Sequence, residues 1–351
     1  MGTATFLQVS DIHTKENLQE IKSVAELANS IENLDAVLCA GDLFDGWYHA
    51  ELVQQAQESQ KKAQDNLSEE EKEFLQDKSK QVMLQVHELV QKHGEDVFSQ
   101  LNAEEEQKEF LKQEYEANKE IIEKVSGKLQ QLNEAVKTLE EKITTHINGA
   151  DQIIGEINSA FYMVRGNHDV DSVYSMKNVH FLDKTGSIEI KGLKIAGAPN
   201  TDERIPQLAD GFYKSLEIDI FDKDGFIKEK GEDVYQKLLD DLPIAKRLKN
   251  AEIDILVTHK GLHEMAIGTD RNGEPHNYGY GRALEKIVKK KKPAVILGGH
   301  VHGRGYIVQK RGYQGIRSSD QRAYTLHVDT ETKKVSKIDV YIKDMQENMQ
   351  N

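Results

Sequence analysis

The 351-residue sequence predicts an α/β chain with mixed sheets, interrupted by a long helical insertion. Three observations carry this. Short β-rich apolar runs ("ATFLQVS", "DAVLCAG", "FYMVRG", "IDILVTH", "PAVILGG") have the length and texture of buried strands. Between the first two, Leu18, Ile21, Ala25, Ala28 and Ile31 recur at helical spacing, and strand–helix–strand alternation implies βαβ units. Residues 51–150 contain no proline, whereas all five prolines of the chain stand at or after Pro199.

The division that follows is a core from 1–50 and 151–351 and an insertion from 51–150. Hydrophobic residues make up only 38% of the chain and charged residues 30%, so part of it is a solvated, weakly buried element. The insertion is dense in Gln, Glu and Lys. Its 13 basic and 22 acidic residues account for −9 of the formal net charge of −14. That acidic balance argues against nonspecific nucleic-acid binding as the main activity. The single cysteine, Cys39, lies in an apolar run, where it reads as a small buried hydrophobe in a reducing compartment. Neither a secretory leader pattern nor an 18-residue apolar run is present, which predicts a cytoplasmic protein without a membrane span.

Within the insertion, Ile122, Val125, Leu129, Leu132, Val136, Leu139 and Ile143 alternate steps of three and four, the a/d spacing of a coiled coil. A weaker series runs Leu75, Ser79, Val82, Val86, Leu89, His93. Ser68 with Glu71 fits a capping box, Asn102 with Glu105 resembles one, and Gly94 offers a break between helices. Gly127 falls on the outer side of the seam. A hairpin burying its own seams is the plain reading. An arm for a protein partner or for self-association is the other.

After the insertion, residues 179–198 predict short antiparallel strands with turns at Thr185-Gly186 and Lys191-Gly192, and the tail 304–342 is mostly strand-like. Each core strand then ends in side chains able to bind metal. Asp11 and His13 follow the first, Asp42 and Asp45 the second, Asn167, His168 and Asp169 the third. His259 follows the fourth, His300 and His302 the fifth. In extended chain, residues i and i+2 point the same way, which would aim Asp11 with His13, and His300 with His302, at one spot each. Carboxylate, amide and imidazole donors suit manganese, iron or zinc rather than a thiolate site.

The ordered blocks Asp-x-His, "GDLFD", "GNHD", a single His and "GHVH" resemble the calcineurin-like metallophosphoesterases over about residues 4–50 and 151–330. The resemblance implies a four-layer α/β/β/α sandwich and a pair of divalent metals, manganese first, with iron or zinc as alternatives. One metal would take Asp11, His13, Asp42 and His302. The other would take Asp42, Asn167, His259 and His300, with Asp42 as the bridge. Two metals roughly 3.5–4 Å apart can hold a bridging hydroxide that attacks phosphorus. His168 is implied as general acid, oriented by Asp45, with Asp169 in a supporting place.

The substrate implied is a phosphate ester, first a phosphodiester or nucleotide-like one. Gly46-Trp47 replaces the Arg-Gly that protein phosphatases of the superfamily carry after this block. "GDLFD" is also similar to the block of double-strand-break repair exonucleases, so DNA stays open as a substrate; an adaptor with a structural metal centre is the third reading. His263, Arg271, His276, Tyr278 and Tyr280 read either as a cover over the cleft or as a solvated loop. "EKIVKKKKP" reads as a charged helix end stopped by Pro293. Arg304, Arg311, Arg317 and Arg322 are candidates for a phosphate-binding groove. "DIFDKDGFI" fails the positions of a calcium loop and reads as a turn.

Overall fold

The computed structural model describes residues 2–93, 105–169, 171–199, 227–228, 230–241, 243–262, 265, 267–269, 275–277, 282–302, 305–310, 312–320 and 322–342. Outside them lie Gly94, Asn102, His263, Arg271, Tyr278, Tyr280, Arg304, Arg311 and nearly all of the 219–227 turn, as do the side chains of His93, Leu132 and His276. The chain forms two compact units, Met1–Tyr48 with Thr145–Asn351, and His49–Thr144. Among the described residues no helix is long and apolar enough to cross a membrane.

The first unit opens with β1 (Thr3–Val9), α1 (Gln19–Ser30) and β2 (Ala36–Cys39). The helical segment follows as α2 (Gly46–Asp65), α3 (Glu69–Gln76), α4 (Lys78–His93) and α5 (Glu105–Gly155). Then come β3 (Ala160–Met163), β4 (Val179–Phe181), β5 (Ile188–Ile190) and β6 (Leu193–Ala198). Helices α6 (Glu232–Asp241) and α7 (Pro243–Leu248) lead to β7 (Ile255–Thr258), β8 (Ile267–Thr269) and β9 (Pro275–Asn277). Last are α8 (Arg282–Lys291), β10 (Val295–Gly298), β11 (Tyr306–Lys310), β12 (Tyr313–Arg317), β13 (Arg322–Asp329) and β14 (Val335–Ile342).

Two six-stranded sheets result, ordered β14-β13-β1-β2-β3-β4 and β11-β12-β10-β7-β6-β5. They share one apolar layer. Alternate residues Ala4 and Phe6 of β1 and Ala36 and Leu38 of β2 pack with Ile195, Ile255, Val257, Val295 and Leu297 of the other sheet. Gln8 continues this inward face and donates to Gly298 O and Ile316 O, both at 3.0 Å, so it links the sheets through a buried polar contact. Outside the second sheet, α6, α7 and α8 bury Leu239, Ile244, Leu248, Leu284 and Ile287 against Leu256 and Ile296. On α1, Ile21, Ala25 and Ala28 are buried as the helical spacing predicts. The basic run falls on the last turn of α8, where Lys289, Lys290 and Lys291 oppose the helix dipole.

Strands β1, β2, β3 and β4 run parallel, as do β6, β7 and β10. Parallel pairing puts the carboxyl ends of successive strands on one edge, where α/β sheets bind ligands. One expectation is corrected here. The strands of 179–198 are not a single antiparallel meander. β4 pairs in parallel with β3 and β5 starts the other sheet, so the chain changes sheets at Thr185-Gly186. Only β5 and β6 form the hairpin, on a two-residue turn with Lys191 and Gly192 both at positive φ.

The second unit has its own apolar cluster of Phe74, Met83, Val86, Tyr115, Ile122 and Val125. The predicted capping box is present: Ser68 Oγ accepts from Glu71 N, and Ser68 N donates to Glu71 Oε2 at 2.6 Å. The weaker heptad series holds only in part, since Val86 lies in this cluster and Leu75 packs against it. Val82 is 45% exposed and Leu89 39%, while Met83, His87 and Val90 turn inward in their place. The inward stripe contains His87, whose ring nitrogen lies 2.9 Å from Tyr115 Oη, and an apolar count passes over a hydrogen-bonded histidine. Gly127 has open space around it, as its outer position predicts.

Candidate metal centre

The segments after β1 and β2 stay paired beyond the strands. Asp11 N donates to Gly41 O (3.0 Å), His13 N to Asp42 O (3.1 Å), Thr14 N to Leu43 O (2.9 Å) and Asp45 N to Thr14 O (3.2 Å). Within this frame Asp11, His13, Asp42 and His300 all have φ between 48° and 71°. Left-handed backbone at a non-glycine residue costs roughly 1–3 kcal/mol and gathers at functional sites. The i, i+2 argument therefore fails as stated, because neither pair of residues is on extended chain. Asp11 and His13 do converge, together with His302. His300 turns away from His302 to the other side of the cluster.

That other side is tightly drawn. Asn167 Oδ1 lies 2.9 Å from His259 Nε2 and 2.9 Å from His300 Nδ1, and the two ring nitrogens are 3.2 Å apart. Asp42 Oδ2 stands 3.3 Å from His259 Nε2 and 4.0 Å from His13 Nε2, so it faces both groups. His302 stacks on His13 at 4.8 Å, and Asp320 beside it raises its pKa. His168 is edge-on to His13 at 5.1 Å, and its amide donates to Asp42 Oδ1 at 2.8 Å. Asp45 is half-buried, and its charge is one of those that bear on His13.

The electrostatics fit bound cations. Asp11 is fully buried, and burial pushes its carboxyl up to about 6. Burial also works against the Asp42 charge, but His259 outweighs it and holds Asp42 well below the usual carboxylate range. In return Asp42 overcomes the burial of His259 and raises its pKa. Burial lowers the pKa of His13, and its Nε2 is buried without a hydrogen-bond partner. Donor atoms bound about 2.1 Å from one ion stand about 3 Å apart, close to the spacing among Asn167, His259 and His300. Carboxylate, amide and imidazole donors with no thiolate suit hard or borderline divalent ions. The Asp and His clusters are thus compatible with a dinuclear site.

Supporting groups hold these donors in place. His259 Nδ1 donates to Ala40 O at 2.7 Å, which turns Nε2 toward Asn167 and Asp42. Ser10 Oγ donates to Asp11 Oδ2 at 2.6 Å, and Ser318 Oγ donates to Ser10 Oγ at 2.9 Å. Sequence reasoning missed both serines, because no spacing links Ser318 to Ser10. Two glycines allow close approach at the site. A Cβ on Gly166 would overlap the Asp42 carboxylate, and one on Gly46 would overlap the His168 ring. Arg317, a groove candidate, is buried and its guanidinium donates to Met265 O, so it serves the sheet interior.

A scan of family models matches residues 4–87 and 130–304 to the calcineurin-like phosphoesterases, about three quarters of the chain. The chain belongs to this family. As a calcineurin-like phosphoesterase it is a metal-dependent hydrolase of phosphoesters. Among solved structures, TT1561 of Thermus thermophilus is similar at TM-score 0.42 and 10% identity, over 97% of this chain and 99% of that one. Purple acid phosphatase PPD1 from yellow lupin (Lupinus luteus) gives TM-score 0.38 and 9% identity, over 99% of this chain and 55% of that one. Vacuolar protein sorting 29 from Cryptosporidium parvum gives 0.29 and 9%, over 97% and 99%. No curated protein matches the sequence.

Asp169 gives a stability prediction. Its carboxylate accepts from Asp42 N (2.9 Å), Gly166 N (2.8 Å) and Phe44 N (3.2 Å), so one buried side chain ties the second and third ligand segments together. Burial, then repulsion from Asp42, raises its pKa to about 7. Asp169→Ala removes the carboxylate to which three buried amides donate, at about 1–3 kcal/mol each. We expect a urea melt of this variant to show a loss of about 3–5 kcal/mol. A loss below about 1 kcal/mol would mean that Asp169 does not hold these segments.

Proposed function

We propose that this phosphoesterase hydrolyses a phosphodiester or nucleotide-like substrate with two divalent ions, manganese first. The observation that carries the reading is the convergence of Asp11, His13, Asp42, Asn167, His259, His300 and His302 at one edge of the two sheets. Asp11, His13 and His302 would hold one ion, Asn167, His259 and His300 the other, with Asp42 facing both. Such a pair supplies Lewis-acid activation of water and of the phosphoryl oxygens.

The remaining roles belong to the chain. His168 would donate a proton to the departing oxygen. Its amide is anchored on Asp42 and its ring rests against Gly46, which sets its place beside the ligand cluster. Asp45, next to Gly46, would orient that ring. Asp169 fixes the backbone that presents Asp42 and Asn167. The insertion at 51–150 is proposed as a separate recognition or self-association element. Its support is the apolar cluster formed within His49–Thr144.

The test is hydrolysis of bis-p-nitrophenyl phosphate beside p-nitrophenyl phosphate by metal-stripped protein given manganese. We expect manganese-dependent turnover with the diester preferred. A preference for the monoester would move the substrate class. Turnover of neither ester, with two ions bound, would refute the reading for small substrates and turn attention to DNA ends.

A further inference from the structure

Two of the ligand segments meet a side chain from much later in the chain. His146 lies on α5, in the part of that helix that belongs to the first unit. It is buried, and its Nε2 donates to Lys15 O at 2.9 Å. A carbonyl only accepts, so the ring nitrogen is the donor. The ring also stands edge-on to Phe44 at 5.1 Å and to Tyr48 at 5.2 Å. Lys15 follows His13 by two residues, and Phe44 lies between Asp42 and Asp45. One imidazole thus meets the segment of Asp11 and His13 and the segment of Asp42.

The stretch of helix that carries His146 is itself held. Ile147, Ala150 and Ile154 are buried along it. The Asp151 carboxylate accepts from Asn178 N at 2.8 Å and from Lys177 N at 3.1 Å. Gly149 lies so close to Leu18 that a Cβ would overlap that side chain. Leu18 N in turn donates to Lys15 O at 2.9 Å, the same carbonyl that His146 reaches. This end of α5 therefore grips the turn that follows His13.

The ligand segment needs such a grip. Asp11 and His13 both have left-handed backbone, which persists only where the surroundings over-determine it. Pairing with Gly41, Asp42 and Leu43 fixes the segment up to Thr14, whose carbonyl accepts from Asp45 N. At Lys15 the chain leaves that pairing and turns into α1. The bond from His146 fastens it there to a helix outside the two segments. Without it Lys15 O keeps Leu18 N as a partner, so the carbonyl stays satisfied while the tie to α5 is lost. We propose that His146 is a positioning residue of the metal centre, holding the segment of Asp11 and His13 in its ligating conformation through Lys15 O. This rests on the metal centre proposed above and adds α5 to its support.

Manganese titration of the full chain, followed by the EPR signal of the free ion, tests it without recourse to turnover. His146→Phe keeps a ring against Phe44 and Tyr48 and loses the donor. It is expected to raise the dissociation constant of at least one ion about tenfold or more, the scale on which outer partners of metal ligands act. His146→Gln loses the ring, but its amide N–H can reach the same carbonyl, and its affinity is expected to stay close to that of the unmodified protein. His146→Met, also without a donor, takes the place of His146→Phe should the latter fail to fold. Unchanged affinity in a folded donorless variant overturns the proposal. So does an equal loss in His146→Gln, which would assign the effect to packing, or failure of both donorless variants to fold, which would make His146 a residue of the fold alone. If the unmodified protein binds no manganese, the metal-centre reading falls and this one with it. If it binds two ions and hydrolyses neither ester, the titration still decides the role of His146.

Discussion

Asp42→Asn is expected to lower manganese-dependent turnover by at least about 10³-fold, well beyond the 10–100-fold that loss of an outer partner of a metal ligand costs. The substitution is nearly isosteric. One amide terminus can still accept from His168 N, as Asp42 Oδ1 does at 2.8 Å. The other terminus becomes an uncharged donor where Oδ2 now stands 3.3 Å from His259 Nε2 and 4.0 Å from His13 Nε2. The centre loses the carboxylate that faces both ligand groups. Metal analysis after dialysis is expected to show fewer than two ions per chain. The rise in melting temperature that manganese gives the unmodified protein through binding to the folded state should shrink with it. Full two-ion occupancy in Asp42→Asn would show that Asp42 does not bridge.

His168→Ala separates proton transfer from metal binding. We expect both ions to be retained, since among the described residues the ring is in neither group of side chains that could hold a metal. Turnover of an ester with an alkoxide or nucleoside leaving group should fall about 10²–10⁴-fold, the usual contribution of a positioned general acid. The loss should be smaller for p-nitrophenyl esters, whose leaving group needs little protonation. An equal loss with both kinds of ester would point to damage at the metal cluster rather than a missing acid. Gly46→Ala should act in the same direction, because its Cβ would overlap the ring.

Much of the fold was legible because its signals are local. The apolar runs that became β1, β2, β3, β7 and β10 are short, β-rich and bounded by glycine or polar residues, and the capping box at Ser68 needs only four consecutive residues. The heptad series from Leu75 fails at Val82 and Leu89 because the inward stripe of α4 contains a histidine bonded to a tyrosine 28 residues away. The switch of sheets at Thr185-Gly186 was hidden for a similar reason. A turn signal does not say whether the next strand rejoins the same sheet.

The sequence by itself determined which side chains the strand ends offer, and in what order: carboxylate and imidazole after β1, carboxylates after β2, amide, imidazole and carboxylate after β3, imidazoles after β7 and β10. Only the tertiary structure decided how those donors are shared out. Left-handed backbone at Asp11, His13, Asp42 and His300 sends neighbouring side chains in different directions, so His300 joins Asn167 and His259 while His302 joins Asp11 and His13. It also decided the supporting shell, in which Asp169 binds amides of two separate segments and Ser318 reaches Ser10 from 308 residues away. Side-chain identity and period are properties of a few consecutive residues. The meeting of two sheet edges is set by packing across the whole unit.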